Sequence, residues 1–176
     1  MSYFSELQRA MEMLAAQLNV VFMGQGVLYP STAMSSTFDT VPESLRLEMP
    51  VMEDAQLGMA TGMALAGMLP VCVFPRWNFL ICAANQLLNH LDRLPLYSGY
   101  RPKVIIRTAI PSTEPFNPGP QHDDDLTSAF ASMARTIKFV RLVTADHIVP
   151  AYMAAMQDDV STVLVEYSAD YRSERT

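Results

Sequence analysis

Six short runs rich in apolar residues recur along the chain, and stretches of helical spacing separate most of them. Val20–Met23, Leu47–Met49, Leu69–Phe74, Lys103–Thr108, Lys138–Val143 and Thr162–Glu166 each read as a strand. Near-continuous apolar character marks strands that are covered on both faces. Ser5–Gln17 reads as a short amphipathic helix with Leu7, Ala10, Met11, Leu14 and Ala15 on one side. Met52–Met68, Trp77–Leu94 and Ala145–Met156 read as longer helices, the last with Thr144 available as its cap. This alternation predicts an α/β fold: a three-layer, doubly wound, mostly parallel sheet with helices on both faces. Sites in such folds lie at the carboxyl ends of the strands. Gly24, Glu53, Trp77 and the long segment Ile110–Asp125 all fall on that edge.

Half of the 176 residues are apolar, enough for one core, so a single domain over 1–176 is expected. The net charge of −6, without any cluster of Lys and Arg, argues against nucleic acid as the main partner. The apolar stretch from Val51 to Phe74 is interrupted by Glu53, Asp54 and Pro70, and it reads as soluble structure with no membrane partner. Cys72 and Cys82 lie in apolar runs, and no signal peptide precedes them. They read as reduced core thiols of a cytoplasmic protein, with no metal site between them.

Leu47–Gly58 is a strand that ends at Pro50 and turns into a helix beginning with Glu53 and Asp54. Glu53 therefore sits at a mouth. Small residues at four-residue intervals, Gly58, Gly62 and Ala66, let another backbone approach along one face of that helix. Two readings of Glu53 stand. Its charge complements the positive end of the helix dipole, or a dry setting favours its protonated form and equips it to exchange a proton with a ligand. Local pattern favours the dipole. Gly24-Gln25-Gly26 after the first strand lacks the third glycine and the later acidic residue of a dinucleotide fingerprint. Tyr29–Ser44 is polar and aperiodic, and it reads as a surface connection with at most a short helix.

Ile110–Asp125 is long for an α/β connection and holds four prolines and Gly119. Stiffened by those prolines, it presents Gln121-His122-Asp123-Asp124-Asp125 immediately before the next helix. Consecutive aspartates cannot all point at one ion, so a helix start is favoured over a metal site. His90, on the polar side of its helix, reads as an ordinary packed or solvated residue.

Several stretches together carry a resemblance. Pro50-Val51-Met52-Glu53 with Gly58, Gly62 and Met63–Gly67, then Trp77-Asn78-Phe79 with Asn85-Gln86 and Asn89, then Pro120-Gln121-His122, and finally Val163–Tyr167 with Tyr171-Arg172 occur in order. On these residues the chain resembles the pyrimidine-binding (Pyr) domain of thiamine diphosphate-dependent enzymes of the transketolase and 2-oxoacid dehydrogenase group. It is most similar to the first domain of the dehydrogenase E1 beta subunit.

The resemblance reverses the local reading of Glu53, because a glutamate at that position shares a proton with N1′ of the cofactor's aminopyrimidine. It implies that Glu53 and His122 are catalytic, and that Glu53, Trp77, Phe79 and Gln25 bind the cofactor. His122 would face the reacting carbon or a substrate carboxylate, where a side chain titrating near neutral pH can orient an anion or move a proton. Trp77 stands where the family usually has phenylalanine. The Gly-Asp-Gly motif that holds diphosphate and Mg2+ belongs to another domain in this family and does not occur here, and the E1 beta carboxyl-terminal domain is lacking. The implied protein is one subunit of a split enzyme acting on a 2-oxo acid or ketose. It would work with a separate diphosphate-binding, E1 alpha-like subunit that binds Mg2+, and would self-associate about a two-fold to a heterotetramer, with the Gly58/Gly62/Ala66 face as the close contact. A transketolase-like ketol-transfer subunit and an inactive scaffold or regulatory paralogue are the alternatives.

Overall fold

The computed structural model describes residues 1–113 and 117–172. Part of the expected long loop, residues 114–116, therefore lies outside the described residues. Six strands form one sheet in the order β2-β1-β3-β4-β6-β5, and every neighbouring pair is parallel. They are β1 (Val20–Gly24), β2 (Arg46–Glu48), β3 (Leu69–Val73), β4 (Ile105–Ile110), β5 (Lys138–Arg141) and β6 (Thr162–Tyr167). The alternating register divides the core in two. On one face Phe22, Val71, Ile105 and Leu164 pack against α1 (Tyr3–Ala15) and α6 (Ala145–Gln157). On the other, Met23, Cys72, Ile106 and Val163 pack against α2 (Glu53–Leu65), the segment beginning at Trp77, and α5 (Thr127–Met133). The expected three-layer, doubly wound architecture is present, and the sheet is wholly parallel. No helix among the described residues is long and apolar enough to cross a membrane.

Three expectations are corrected by the packing. The polar segment Tyr29–Ser44 is not a mere surface connection, because Met34, Phe38 and Val41 enter the core beside α1. The crossover from β1 to β2 has only two short 3₁₀ turns, Ser35–Phe38 and Glu43–Leu45, so these side chains cover the sheet where a full helix would otherwise lie. Cys72 is buried as expected, and burial pushes its thiol up to about 12, but Cys82 is exposed. The apolar run around Cys82 turns that side of the helical segment outward.

The third correction is the helix expected over Trp77–Leu94. It is broken into α3 (Trp77–Leu80), a 3₁₀ turn at Ile81–Ala83, a π-helical stretch at Gln86–Leu91, and α4 (Leu94–Tyr97). The Asp92 N–H reaches back to the Leu87 carbonyl at 3.0 Å, the wider spacing of a π turn. Asp92, within this segment, is fully buried. Its carboxylate accepts the backbone N–H groups of Arg135, Thr136 and Ile137 at 2.7–3.0 Å and an ion pair from Arg93, tying the helical segment to the approach to β5.

Burial alone would raise the pKa of Asp92, but those three N–H donors and Arg93 hold its carboxyl below the usual range. A depressed folded-state value means that this stabilisation is complete above the ordinary carboxylate pKa and is lost as pH falls through the lower folded value. Asp92→Asn should cost about 1–3 kcal/mol at pH 7, because an amide opposes several donors with one oxygen. In urea unfolding, the gap between wild type and variant should narrow in acid; an equal gap at both pH values would mean that ionised Asp92 holds nothing.

Candidate functional site

The carboxyl edge of the sheet is shaped first by Gly24. It ends β1 at φ +149°, and a Cβ there would lie 2.4 Å from the Val73 carbonyl oxygen, so only glycine permits this close approach. Gln25 follows directly at the edge. The loop it opens is fixed by Glu48, the last residue of β2, whose carboxylate accepts the N–H groups of Gly26 at 2.7 Å, Leu28 at 2.8 Å and Tyr29 at 3.3 Å. Glu48 was not singled out from sequence. A glutamate closing a three-residue edge strand has no distinguishing pattern, and its role becomes visible only through the loop it holds.

Glu53 is the first residue of α2 and is 8% exposed. Its Oε1 accepts a hydrogen bond from Gln25 Nε2 at 3.3 Å. The two residues come from different strand–helix turns, and the sheet register brings them together. The α2 N-terminus has Met52 as its cap residue, with no side-chain capping bond, so the acidic first turn also serves the dipole. Both readings of Glu53 fit one placement: a charge at a helix start that is nevertheless nine-tenths buried at the mouth of the edge.

A second pair stands on the same edge. Phe79, in α3, and His122 approach with ring centroids 6.1 Å apart at 37°. The His122 N–H donates to the Gly119 carbonyl at 2.9 Å, and Gly119 has φ +83°, a turn geometry that suits glycine. Nδ1 of His122 is shielded from solvent and has no hydrogen-bond partner among the described residues. A ring nitrogen in that state is available to a bound molecule.

Trp77, expected beside the cofactor ring, is enclosed instead. It is 1% exposed, with Phe130 at 5.3 Å and Phe139 at 6.4 Å between centroids, so aromatic neighbours from α5 and β5 lie against it. Its Nε1 has no partner among the described residues. Trp77 thus belongs to the second core. Asp125 accepts the Thr127 N–H at 2.9 Å and pairs with Arg141 at 2.7 Å, the helix-start reading. Among the described residues no three His, Cys, Asp or Glu side chains are grouped to hold a metal ion. His90 is exposed. The small-residue line is divided: a Cβ on Gly58 would meet Gln86 of the same chain at 3.5 Å, whereas Gly62 is open.

No protein-family model matches the chain. It is 26% identical over 163 residues to the mitochondrial pyruvate dehydrogenase E1 component subunit beta of Chaetomium thermophilum, a match covering 91% of this chain and 42% of that protein. Against the corresponding subunit of Caenorhabditis elegans it is 29% identical over 120 residues, 68% of this chain and 34% of that one. The chain thus spans less than half the length of these relatives. The X-ray structure of a protein described as a thiamin diphosphate-dependent enzyme from Mycobacterium smegmatis superimposes with a TM-score of 0.68 at 17% identity, over 97% of this chain and 31% of that one. The chain resembles the pyrimidine-binding type of domain found in thiamine diphosphate enzymes, in sequence through the E1 beta subunits and in fold through this neighbour.

Proposed function

We propose that this chain, similar over nine-tenths of its length to an E1 beta subunit, is the pyrimidine-binding subunit of a split thiamine diphosphate-dependent enzyme acting on a 2-oxo acid. The observation that carries the reading is Glu53, nine-tenths buried at the carboxyl edge and, among the described residues, accepting only from the Gln25 amide. A carboxyl group so placed can share a proton with a ring nitrogen of a bound heteroaromatic. The cofactor, when bound, supplies an electron sink for cleavage next to a carbonyl group.

The chain's own residues divide the remaining tasks. Glu53 holds a proton at the ring nitrogen, and Gln25 orients the Glu53 carboxyl. Phe79 offers a flat apolar surface for the ring. His122, with an unpartnered Nδ1, orients the substrate carboxylate or passes a proton to it. Diphosphate and Mg2+ would be held by a separate E1 alpha-like subunit, and copies of this chain would pair about a two-fold. Ketol transfer remains the second enzymatic reading, since Glu53 would serve it equally.

The split-site assignment has a direct test. Purified without a partner, the full chain should bind thiamine diphosphate weakly, and Mg2+ should not tighten it. Titration calorimetry that finds tight, Mg2+-dependent binding by this chain would place the diphosphate site here and reject the division of labour.

A further inference from the structure

Away from Glu53 and His122, where β5 and β6 begin, the molecule carries an opening of its own. It is a cleft of about 230 Å³ between α6 and β5. β5 is the last strand of the sheet and pairs only with β6, in a register that sets Lys138 beside Thr162 and Val140 beside Leu164. Leu164 belongs to the core under α1 and α6, so Thr162, Lys138 and Val140 share that face. The space above them follows from side-chain size. α6 turns Ile148 and Tyr152 into the core, whereas its side toward β5 lines the cleft with Pro150 and three alanines, between His147 at one end and Asp158 at the other.

The polar groups in this lining give it a chemical preference. Thr162 is 3% exposed, and its Oγ1 has no hydrogen-bond partner among the described residues. Buried hydroxyls are ordinarily paired, and valine would fill the same shape without leaving a polar atom idle. The Lys138 ammonium stands beside Thr162 by register, and of its three N–H donors one goes to Asp158. Asp158 also accepts the Asp159 N–H at 2.9 Å, so the carboxylate of the lining is engaged while donors are left over. Spare donors at one end of an apolar floor suit an anion with an apolar body. At about 30 Å³ for a water-sized group, the cleft holds roughly eight such groups.

We infer that this cleft binds a short-chain aliphatic carboxylate, its head between the Lys138 ammonium and the Thr162 hydroxyl and its chain along Ala154, Ala151 and Pro150 toward His147. The site stands on the cleft alone, whichever reaction the carboxyl edge performs. The probe is hexanoate, whose carbon and oxygen atoms total about eight, matching the room available. Added to the full chain with carbon-13 labels in its alanine and valine methyl groups, it should give saturable shifts at Ala151, Ala154 and Val140. Thr162→Val should weaken the affinity by about tenfold or more, as expected for a lost hydrogen bond to a charged group, without lowering the melting temperature. Asp158→Asn removes the like charge near the head and should tighten binding. Ala154 is exposed, so Ala154→Leu leaves the core intact; it fills the cleft and should abolish binding. Hexanol bound as tightly as hexanoate, or undiminished affinity in Thr162→Val or Ala154→Leu, would overturn the site. Unchanged affinity in Asp158→Asn would place the head elsewhere and overturn it too. Methyl shifts that grow with protein concentration in the absence of hexanoate would give the cleft to a second copy of the chain, with the same consequence.

Discussion

In the reconstituted two-subunit complex, Glu53→Gln should slow exchange of the cofactor C2 proton by about 10²- to 10⁴-fold, the usual range for loss of a positioned acid–base group. Cofactor affinity should weaken far less. Glutamine fills nearly the same volume and can still bond to Gln25, so the cavity at the start of α2 stays formed. What it lacks is a proton to share. The competing account, in which Glu53 only complements the dipole of α2, makes a different forecast: a cost of a few tenths of a kcal/mol in stability and unchanged exchange. Hydrogen–deuterium exchange at C2, measured at full cofactor occupancy, separates the two. Intact exchange would turn this chain into a scaffold that keeps the shape of the site without its chemistry.

The two readings of Glu53 could not be separated from sequence because both require an acidic residue at a helix start. The structure adds the burial and the Gln25 amide, which depend on the β1–β2 register and could not be seen in either segment alone. The strands were legible for the opposite reason: a parallel strand buried on both faces announces itself in its own composition. Trp77 shows where such reading stops. An aromatic residue just after a strand fits a pocket or a core equally well, and only Phe130 and Phe139, some fifty residues later in the chain, decide for the core. Asp92 was missed because its donors, the N–H groups of Arg135, Thr136 and Ile137, carry no side-chain signature.

Arg107 and Glu166 did leave a signal, a charge within each of two otherwise apolar strands, and their consequence for stability should be large. Arg107 lies opposite Leu164 in the β4–β6 register, and Glu166 is two residues further on, hence on the same face. Both are fully buried, and the guanidinium grips the carboxylate at 2.7 and 3.0 Å. Tyr152 donates to the same carboxylate at 2.6 Å and Tyr171 does so as well, while Arg107 also reaches Thr37 and lies over the Phe38 ring. Burial pushes both phenols well above their ordinary pKa, so they remain donors at neutral pH. The Glu166 charge holds Arg107 protonated against burial, which would lower its value.

Replacing one partner strands the other. Glu166→Gln or Arg107→Met should each cost about 3–5 kcal/mol, because a buried charge is left without compensation. Domains are stable by only about 5–15 kcal/mol, so these variants should melt well below wild type or fail to fold. Arg107→Met combined with Glu166→Leu, Tyr152→Phe and Tyr171→Phe removes both charges and both phenol donors together and leaves Thr37 its bond to the Met34 carbonyl, so it should recover most of the loss, since apolar replacement of a buried network is close to neutral. Thermal and urea unfolding of the single and combined variants checks the sign at each step. A combined variant no more stable than Glu166→Gln alone would show that the network stabilises this face beyond the compensation of its own charges.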